Sequence, residues 1–287
     1  MGYFILDWGE DEGVVRVNHP DDLTRTQVEE FDGFKTWIDT LRASLKQQKY
    51  PSHPFHEEGY KLKKVEIKEK YMIGKRPLFM YVEALVESKN GDRLPGVAFL
   101  RGGAVAVLII LRPSDSPDER YVVMTEQARI PAGSLSFMEI PAGMLDPKDG
   151  NKFDGAAARE IKEEIGLVLK EEDLTNMTEI ALKGEQTDEL LQRAMYPSPG
   201  GCDEYISIFL WEREMDRMQI EGLRGRLTGI RSEKERITVR LLNYEKLLQV
   251  GARDVKTLAA WALYEYLKRT RQIDHNGKEV VDRPTSL

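Results

Sequence analysis

The chain has a single cysteine, Cys202, in 287 residues, so no intrachain disulfide can form and the fold rests on its core. It also lacks any apolar run near the about 18–20 residues that cross a bilayer, which removes a membrane-spanning helix from consideration. Positive charge is not in excess. Lys and Arg total 42 against 49 Asp and Glu, a net charge of -7, and this leaves no broad electrostatic footprint for nucleic acid. There are four histidines and none is near Cys202 in sequence, so a Cys–His nucleophilic pair is not signalled. The acidic opening MGYFILDWGEDEGV is unlike the basic start of a secretory or transit peptide, and Gly2 is not followed by Ser or Thr at position 6 as myristoylation requires. Internal repeats and low-complexity tracts are missing too. The expected setting is a reducing compartment, the cytoplasm.

What is present is enough apolar residue, 41 %, for one large domain or two small ones. Phe31, Phe34, Trp37, Ile38, Leu41 and Leu45 recur at three- and four-residue steps, which predicts an amphipathic helix ending before Tyr50-Pro51. From about 60 to 100 the pattern turns to strands: Val65 and Ile67 alternate with charges, Phe79 to Val86 is β-rich, and Asn90-Gly91 marks a hairpin leading to residues 94–99. A small antiparallel sheet is expected there. Residues 102–111, GGAVAVLIIL, suit a strand buried on both faces, with a partner over Tyr121 to Thr125. Further strands are expected over Tyr205–Trp211 and Ile237–Leu242. Asp254 is placed to cap a closing helix over residues 255–271, with Leu258, Trp261, Ala262 and Leu267 against the sheet and a frayed polar tail from Asp274.

The most informative stretch runs from Met138 to Leu167. Glu160, Glu163 and Glu164 stand at i, i+3 and i+4, so a helix would project all three from one face. A helix is signalled at both ends: Asp154 as the cap, alanines at 156–158, and Gly166 where a left-handed glycine stops it. Like charges at this spacing each cost a helix about 0.2–0.5 kcal/mol, and a hard divalent cation with its taste for oxygen would relieve them. The same string also fits a solvated face whose acids pair with Arg159 and Lys162.

Pro141-Ala142-Gly143 followed by Arg159-Glu160-Ile161-x-Glu163-Glu164-x-Gly166-Leu167 resembles the Nudix box of hydrolases that cleave nucleoside diphosphate derivatives. Asn151 stands where that pattern has a glutamate, and the spacing from Gly143 to Arg159 is two residues longer, the extra length falling in the polar loop 146–151. The runs Glu126 to Gly133, Phe137 to Asp146 and Tyr196-Pro197-Ser198-Pro199-Gly200-Gly201-Cys202-Asp203-Glu204 look like the ADP-sugar diphosphatase branch, above all its plant-type ADP-sugar hydrolases. This resemblance implies an α/β fold, the α/β/α sandwich around a mixed sheet, with an N-terminal helix and small β-sheet extension. It implies three regions: 1–100 for dimerisation and the substrate pocket, 101–273 for the hydrolase domain, and 274–287 as a polar tail.

By the same resemblance the reaction would be Mg²⁺-dependent, or Mn²⁺-dependent, hydrolysis of ADP-ribose or ADP-glucose to AMP and a sugar phosphate. Glu160, Glu164, Glu235 and the Ala142 carbonyl would ligate metal. Glu163 and Glu233 would be catalytic, Glu233 as general base. Arg129, Glu139, Ser198, Gly200 and Glu204 would contact the nucleotide sugar, the small-molecule partner, in a homodimer with no nucleic acid or membrane partner. The residues themselves leave other readings open: a surface ion pair for Arg129, a structural hydrogen bond for Glu139, a solvated turn for Glu204 and a charged hairpin tip for Glu233 and Glu235. At the level of function the alternatives are another Nudix substrate, such as UDP-glucose, a dinucleotide or an oxidised nucleotide, or a non-catalytic domain that binds a nucleotide sugar.

Overall fold

The structure, a computed structural model, describes residues 1–8, 13–145, 153–184, 189–229 and 236–280. The chain divides into two compact units. The first comprises residues 1–103, 185–192 and 198–205. Its strands are β1 (Gly2–Asp7), β2 (Val14–His19), β3 (Lys61–Ile73), β4 (Arg76–Glu87), β5 (Arg93–Leu94) and β6 (Val97–Leu100), in the order β1-β2-β3-β4-β5 with β6 also on β4. Helices α1 (Arg25–Glu29) and α2 (Asp32–Gln47) lie between β2 and β3 in sequence.

The antiparallel arrangement expected over residues 60–100 holds from β3 to β6. It is incomplete as a description of the sheet, because residues 2–7 and 14–19 add an antiparallel strand pair whose β2 joins β3 in parallel, making the sheet mixed. The pair is amphipathic with a period of two: Phe4, Val15 and Val17 enter the core while Tyr3 and Ile5 face outward. Phe34 and Ile38 of α2 pack into that core with Val65, Ile67, Met80 and Val82, as the stripe predicts.

The second unit comprises residues 104–184, 193–197 and 206–287. Its strands are β7 (Gly103–Pro113), β8 (Tyr121–Arg129), β9 (Ser134–Glu139), β10 (Ala142–Met144), β11 (Thr175–Asn176), β12 (Tyr205–Met215), β13 (Leu227–Thr228) and β14 (Ile237–Asn243). Its helices are α3 (Phe153–Glu164), α4 (Met177–Ala181), α5 (Arg217–Glu221), α6 (Leu247–Gly251) and α7 (Val255–Arg269). The sheet order is β11-β12-β7-β8-β14-β13, with β10 on β7 and β9 on β8.

Strand β7 is the centre, buried throughout Ala104–Leu111. Its side chains alternate between two cores. Ala106, Leu108 and Ile110 meet Met177, Ile180, Ala260, Tyr264 and Leu267, and Val105, Val107 and Ile109 meet Ala156, Ala157, Ile161 and Ile220. Helices therefore cover both faces, and the expected α/β/α layering is present.

Three local expectations need correction. Helix α3 begins at Phe153, which puts Asp154 inside its first turn instead of at the cap; a carboxylate there still favours the helix dipole. In α7 the buried face is Thr257, Ala260, Tyr264 and Leu267, while Leu258 and Ala262 are exposed. The reason is polar: Asp254 caps the helix, accepting from the Lys256 and Thr257 amides, and Thr257 is held inward by its own hydroxyl contacts. Finally, residues 274–280 of the tail form a hydrogen-bonded turn, in which the Asp274 carboxylate accepts from the amides of Asn276 and Lys278 and the Val280 amide donates to the Gln272 carbonyl, while residues 281–287 lie outside the described residues. Among the described residues no helix is long and apolar enough to cross a membrane.

Because β7 feeds both cores, Leu108→Ala should cost about 2–5 kcal/mol in urea unfolding. A loss below about 1 kcal/mol would show that the two-faced burial of this strand is not what holds the unit together.

Candidate active site

Helix α3 forms because an alanine-rich face is apolar and its C-terminus has a stop. The Gly166 amide donates to the carbonyls of Ile161 and Lys162, and its φ of +75 is one that a side chain would strain. The turn of helix before that stop carries the acids. Glu160 and Glu164 are buried, whereas Glu163 lies at the margin with its side chain 35 % exposed. The one-faced cluster is thus a buried pair with a third carboxylate at its edge.

The short strand β10 meets this pair directly. The Ala142 amide donates to Glu164 Oε2 at 3.1 Å, and the Glu160 carboxylate is seated against Gly143, where a Cβ would come within 1.8 Å of Glu160 Cδ. β10 is itself fixed to β7 through Ala142 opposite Ala106 and Gly143 opposite Val105. Gln127 of β8 donates to Glu164 Oε1 at 3.3 Å. Arg159 supplies the counter-charge: Nη1 donates to Glu160 Oε1 at 2.6 Å and to Glu163 Oε2 at 3.3 Å, and Nη2 to the Met144 carbonyl at 3.2 Å. Burial, then the charges of Glu160 and Glu139, push the Glu164 carboxyl up to about 8.

A second polar group flanks the same strand pair. Glu139, at the end of β9, is buried, with Oε1 accepting from Arg129 Nε at 2.6 Å and Oε2 from Lys256 Nζ at 2.8 Å. Lys256 also donates to Asp254 Oδ1 at 2.7 Å. Burial pulls the Lys256 ammonium down, but the two carboxylates hold it above the usual lysine value. Arg129 and Glu139, singled out separately in the sequence, are therefore direct partners. Lys256 and Gln127 went unnoticed as site residues, and the only trace of the former in the sequence is its place two residues after the helix cap.

Ser198, Gly200 and Glu204 lie in the other unit. The amides of Gly201 and Cys202 both donate to the Ser198 carbonyl, closing the turn, and Gly201 accepts from the Phe99 amide at 2.9 Å. A Cβ at Gly200 or Gly201 would meet nothing within 4 Å, so open space lies beside this backbone. Glu204 pairs with Arg101 at 3.3 Å. Asp203 accepts from the Arg101 and Gly102 amides, with burial raising its carboxyl to about 6. The Cys202 thiol is pushed up by burial, which opposes thiolate formation. Glu233 and Glu235 lie outside the described residues.

Among the described residues no group of three or more His, Cys, Asp or Glu side chains is arranged to hold a metal ion. The donor chemistry of the α3 pair nevertheless fits a hard cation: two buried carboxylates, one with its pKa raised by burial and then by its neighbour's charge, partnered by an arginine from their own helix. The glycine seat is specific to this pairing. Gly143→Ala should destabilise the fold by about 1–3 kcal/mol in urea unfolding, since the new methyl must displace the Glu160 carboxylate. An unchanged midpoint would mean the carboxylate is not held there.

The NUDIX domain family model matches residues 101–261, over half of the chain. Nudix hydrolase 14, chloroplastic, of Arabidopsis thaliana is 39 % identical over 237 residues, covering 82 % of this chain and 71 % of that protein. The ADP-ribose pyrophosphatase of Bacillus subtilis (strain 168) is 34 % identical over 145 residues, covering 50 % of this chain and 63 % of that protein. A solved structure described as an ADP compounds hydrolase superposes loosely, with a TM-score of 0.45 and 17 % identity over 75 % of this chain and 97 % of that one. The matched stretch contains the acid helix, its glycine seat and the Arg129–Glu139 pair, and this chain is a member of the Nudix hydrolase family.

Proposed function

We propose that the chain hydrolyses the diphosphate bridge of ADP-sugars, ADP-ribose or ADP-glucose, to AMP and a sugar phosphate, with Mg²⁺ or Mn²⁺ as the cofactor. The observation that carries this reading is the burial of Glu160 and Glu164 side by side against Gly143 and Ala142. The relative named as an ADP-ribose pyrophosphatase supports the choice of substrate class.

In this reaction the oxygen of water bonds to one phosphorus, the bridging P–O bond breaks, and protons pass to solvent as the two phosphates separate. A bound divalent cation supplies Lewis acidity toward the phosphate oxygens. Glu160 and Glu164, with the Ala142 carbonyl and Glu235, would hold it, and Arg159 must then release the Glu160 oxygen it occupies in this structure. Glu163 and Glu233 are the carboxylates we assign to proton handling. Arg129, tied through one edge to Glu139, meets the phosphates. We also propose a homodimer formed through residues 1–100, because the first sheet leaves Tyr3, Ile5, Tyr81, Val97 and Phe99 exposed. Light scattering on a sizing column is expected to give twice the chain mass, and a monomer at micromolar concentration would refute it.

The test of the reaction is phosphate release from a panel of nucleoside diphosphate sugars with Mg²⁺. ADP-linked compounds should be cleaved fastest, and well-folded protein that cleaves none of them would defeat the proposal. Glu164→Gln should lose more activity than the roughly 10–100-fold that removal of an outer-shell partner costs.

The raised Glu164 pKa gives an independent readout. Its stabilising contribution to the metal-free fold is present below about 4.5 and is lost as pH rises through about 8, so at neutral pH the group is largely protonated. Binding of Mg²⁺ near pH 7 should therefore release a proton, seen as a dependence of calorimetric heat on buffer ionisation enthalpy. Glu164→Gln should abolish that dependence, and identical proton release by the variant would exclude Glu164 as its source.

A further inference from the structure

We infer that Lys256 is a positioning residue: through Glu139 it sets how Arg129 meets an anionic phosphate, though it touches no substrate itself. The inference rests on the proposed placement of Arg129 at the diphosphate. Four charges alternate along one chain of contacts. Arg129 Nε donates to one oxygen of Glu139, and Lys256 Nζ donates to the other and also to Asp254, at 2.6, 2.8 and 2.7 Å. The two carboxylates are almost wholly enclosed, their side chains 2 % and 3 % exposed, and Lys256 is 16 % exposed. Arg129 is the member that reaches outward, at 39 %.

The balance of charge explains why the lysine matters for the arginine. Glu139 divides its two oxygens between Arg129 and Lys256; with Lys256 gone, Oε2 loses its cation. The guanidinium is then drawn from a one-edge contact into neutralising both Glu139 oxygens, and its attraction for an external anion falls. Lys256 divides Glu139 so that only one oxygen is left for Arg129. Its position is in turn fixed by the helix cap: Asp254 Oδ2 accepts from the Thr257 amide and hydroxyl, and the Thr257 hydroxyl accepts from the Ile140 amide at 3.1 Å, one residue beyond Glu139. The start of α7 is thereby tied to both the backbone and the side chain of the strand end that orients Arg129.

A double-mutant cycle separates this role from simple support of the fold. Wild type, Lys256→Met, Arg129→Ala and the double variant are compared for KM and kcat on ADP-ribose with Mg²⁺, and for affinity toward inorganic pyrophosphate by calorimetry. Lys256→Met should raise KM and weaken pyrophosphate binding about tenfold, in the range seen for outer-shell partners, with kcat changed less than about threefold. In the Arg129→Ala background the same substitution should change either by less than about twofold, because the group it acts through is gone. Lys256→Arg, which keeps the charge, should restore most of the affinity, and Lys256→Gln replaces the methionine variant if that one fails to fold. Equal effects of Lys256→Met in both backgrounds, or no effect in the wild-type background, would overturn the inference. If wild type binds pyrophosphate but cleaves no ADP-linked compound, the proposed reaction falls while the cycle is decided on pyrophosphate affinity. If wild type binds no pyrophosphate, the inference falls as well.

Discussion

Two carboxylates one helical turn apart, enclosed together and held against a bare glycine, are the constraint on which the second unit is arranged. When both are ionised, Glu160 and Glu164 repel each other, and burial strengthens that repulsion by removing the water that would screen it. The fold answers with partners from three directions: a guanidinium from the same helix, an amide from β10 and a carboxamide from β8. None of these cancels the full negative charge of a deprotonated pair. A helix built this way is costly unless something cationic joins it, and that makes the arrangement functional in character.

The consecutive strands β9 and β10 are where that constraint is passed on. From α3 they receive the Glu164 and Arg159 contacts at Ala142 and Met144, and from α7 the Thr257 and Lys256 contacts at Ile140 and Glu139. Four nearly consecutive residues thus report to helices on the two opposite faces of one sheet. The β10 backbone is further pinned to β7, the most deeply buried strand, and Glu139 lies opposite Thr125 of β8. Such a segment can hold charged groups in register because it has little freedom left to relax them.

Much of this was legible in the residues. The continuous apolar run over 102–111 announces a strand covered on both sides, and the spacing of Glu160, Glu163 and Glu164 announces a charged helical face, because both depend only on local periodicity. Gly166 was readable as a stop for the same reason. The strand pair at residues 2–7 and 14–19 was missed, since two short alternating segments carry little signal apart from the sheet that accepts them in parallel. On α7 Trp261 and Leu267 were read correctly and Leu258 and Ala262 were not, because the rotation of the helix is fixed by Asp254 and Thr257 and their bonds to a strand more than a hundred positions away. Lys256 was invisible on the same grounds: next to a helix cap, a lysine reads as solvated until the fold brings Glu139 to it. Gly143 was noticed as part of a motif, but the reason for a glycine there is the Glu160 carboxylate packed against it.

We propose that the acid pair is a cation seat, and diffraction reads that most directly. Crystals grown with Mn²⁺ and measured for its anomalous signal should show one peak or more bonded to the carboxylates of Glu160 and Glu164, with the Arg159 guanidinium moved off Glu160. Ordered carboxylates that keep their Arg159 and Ala142 partners, with manganese found only elsewhere or nowhere, would contradict it.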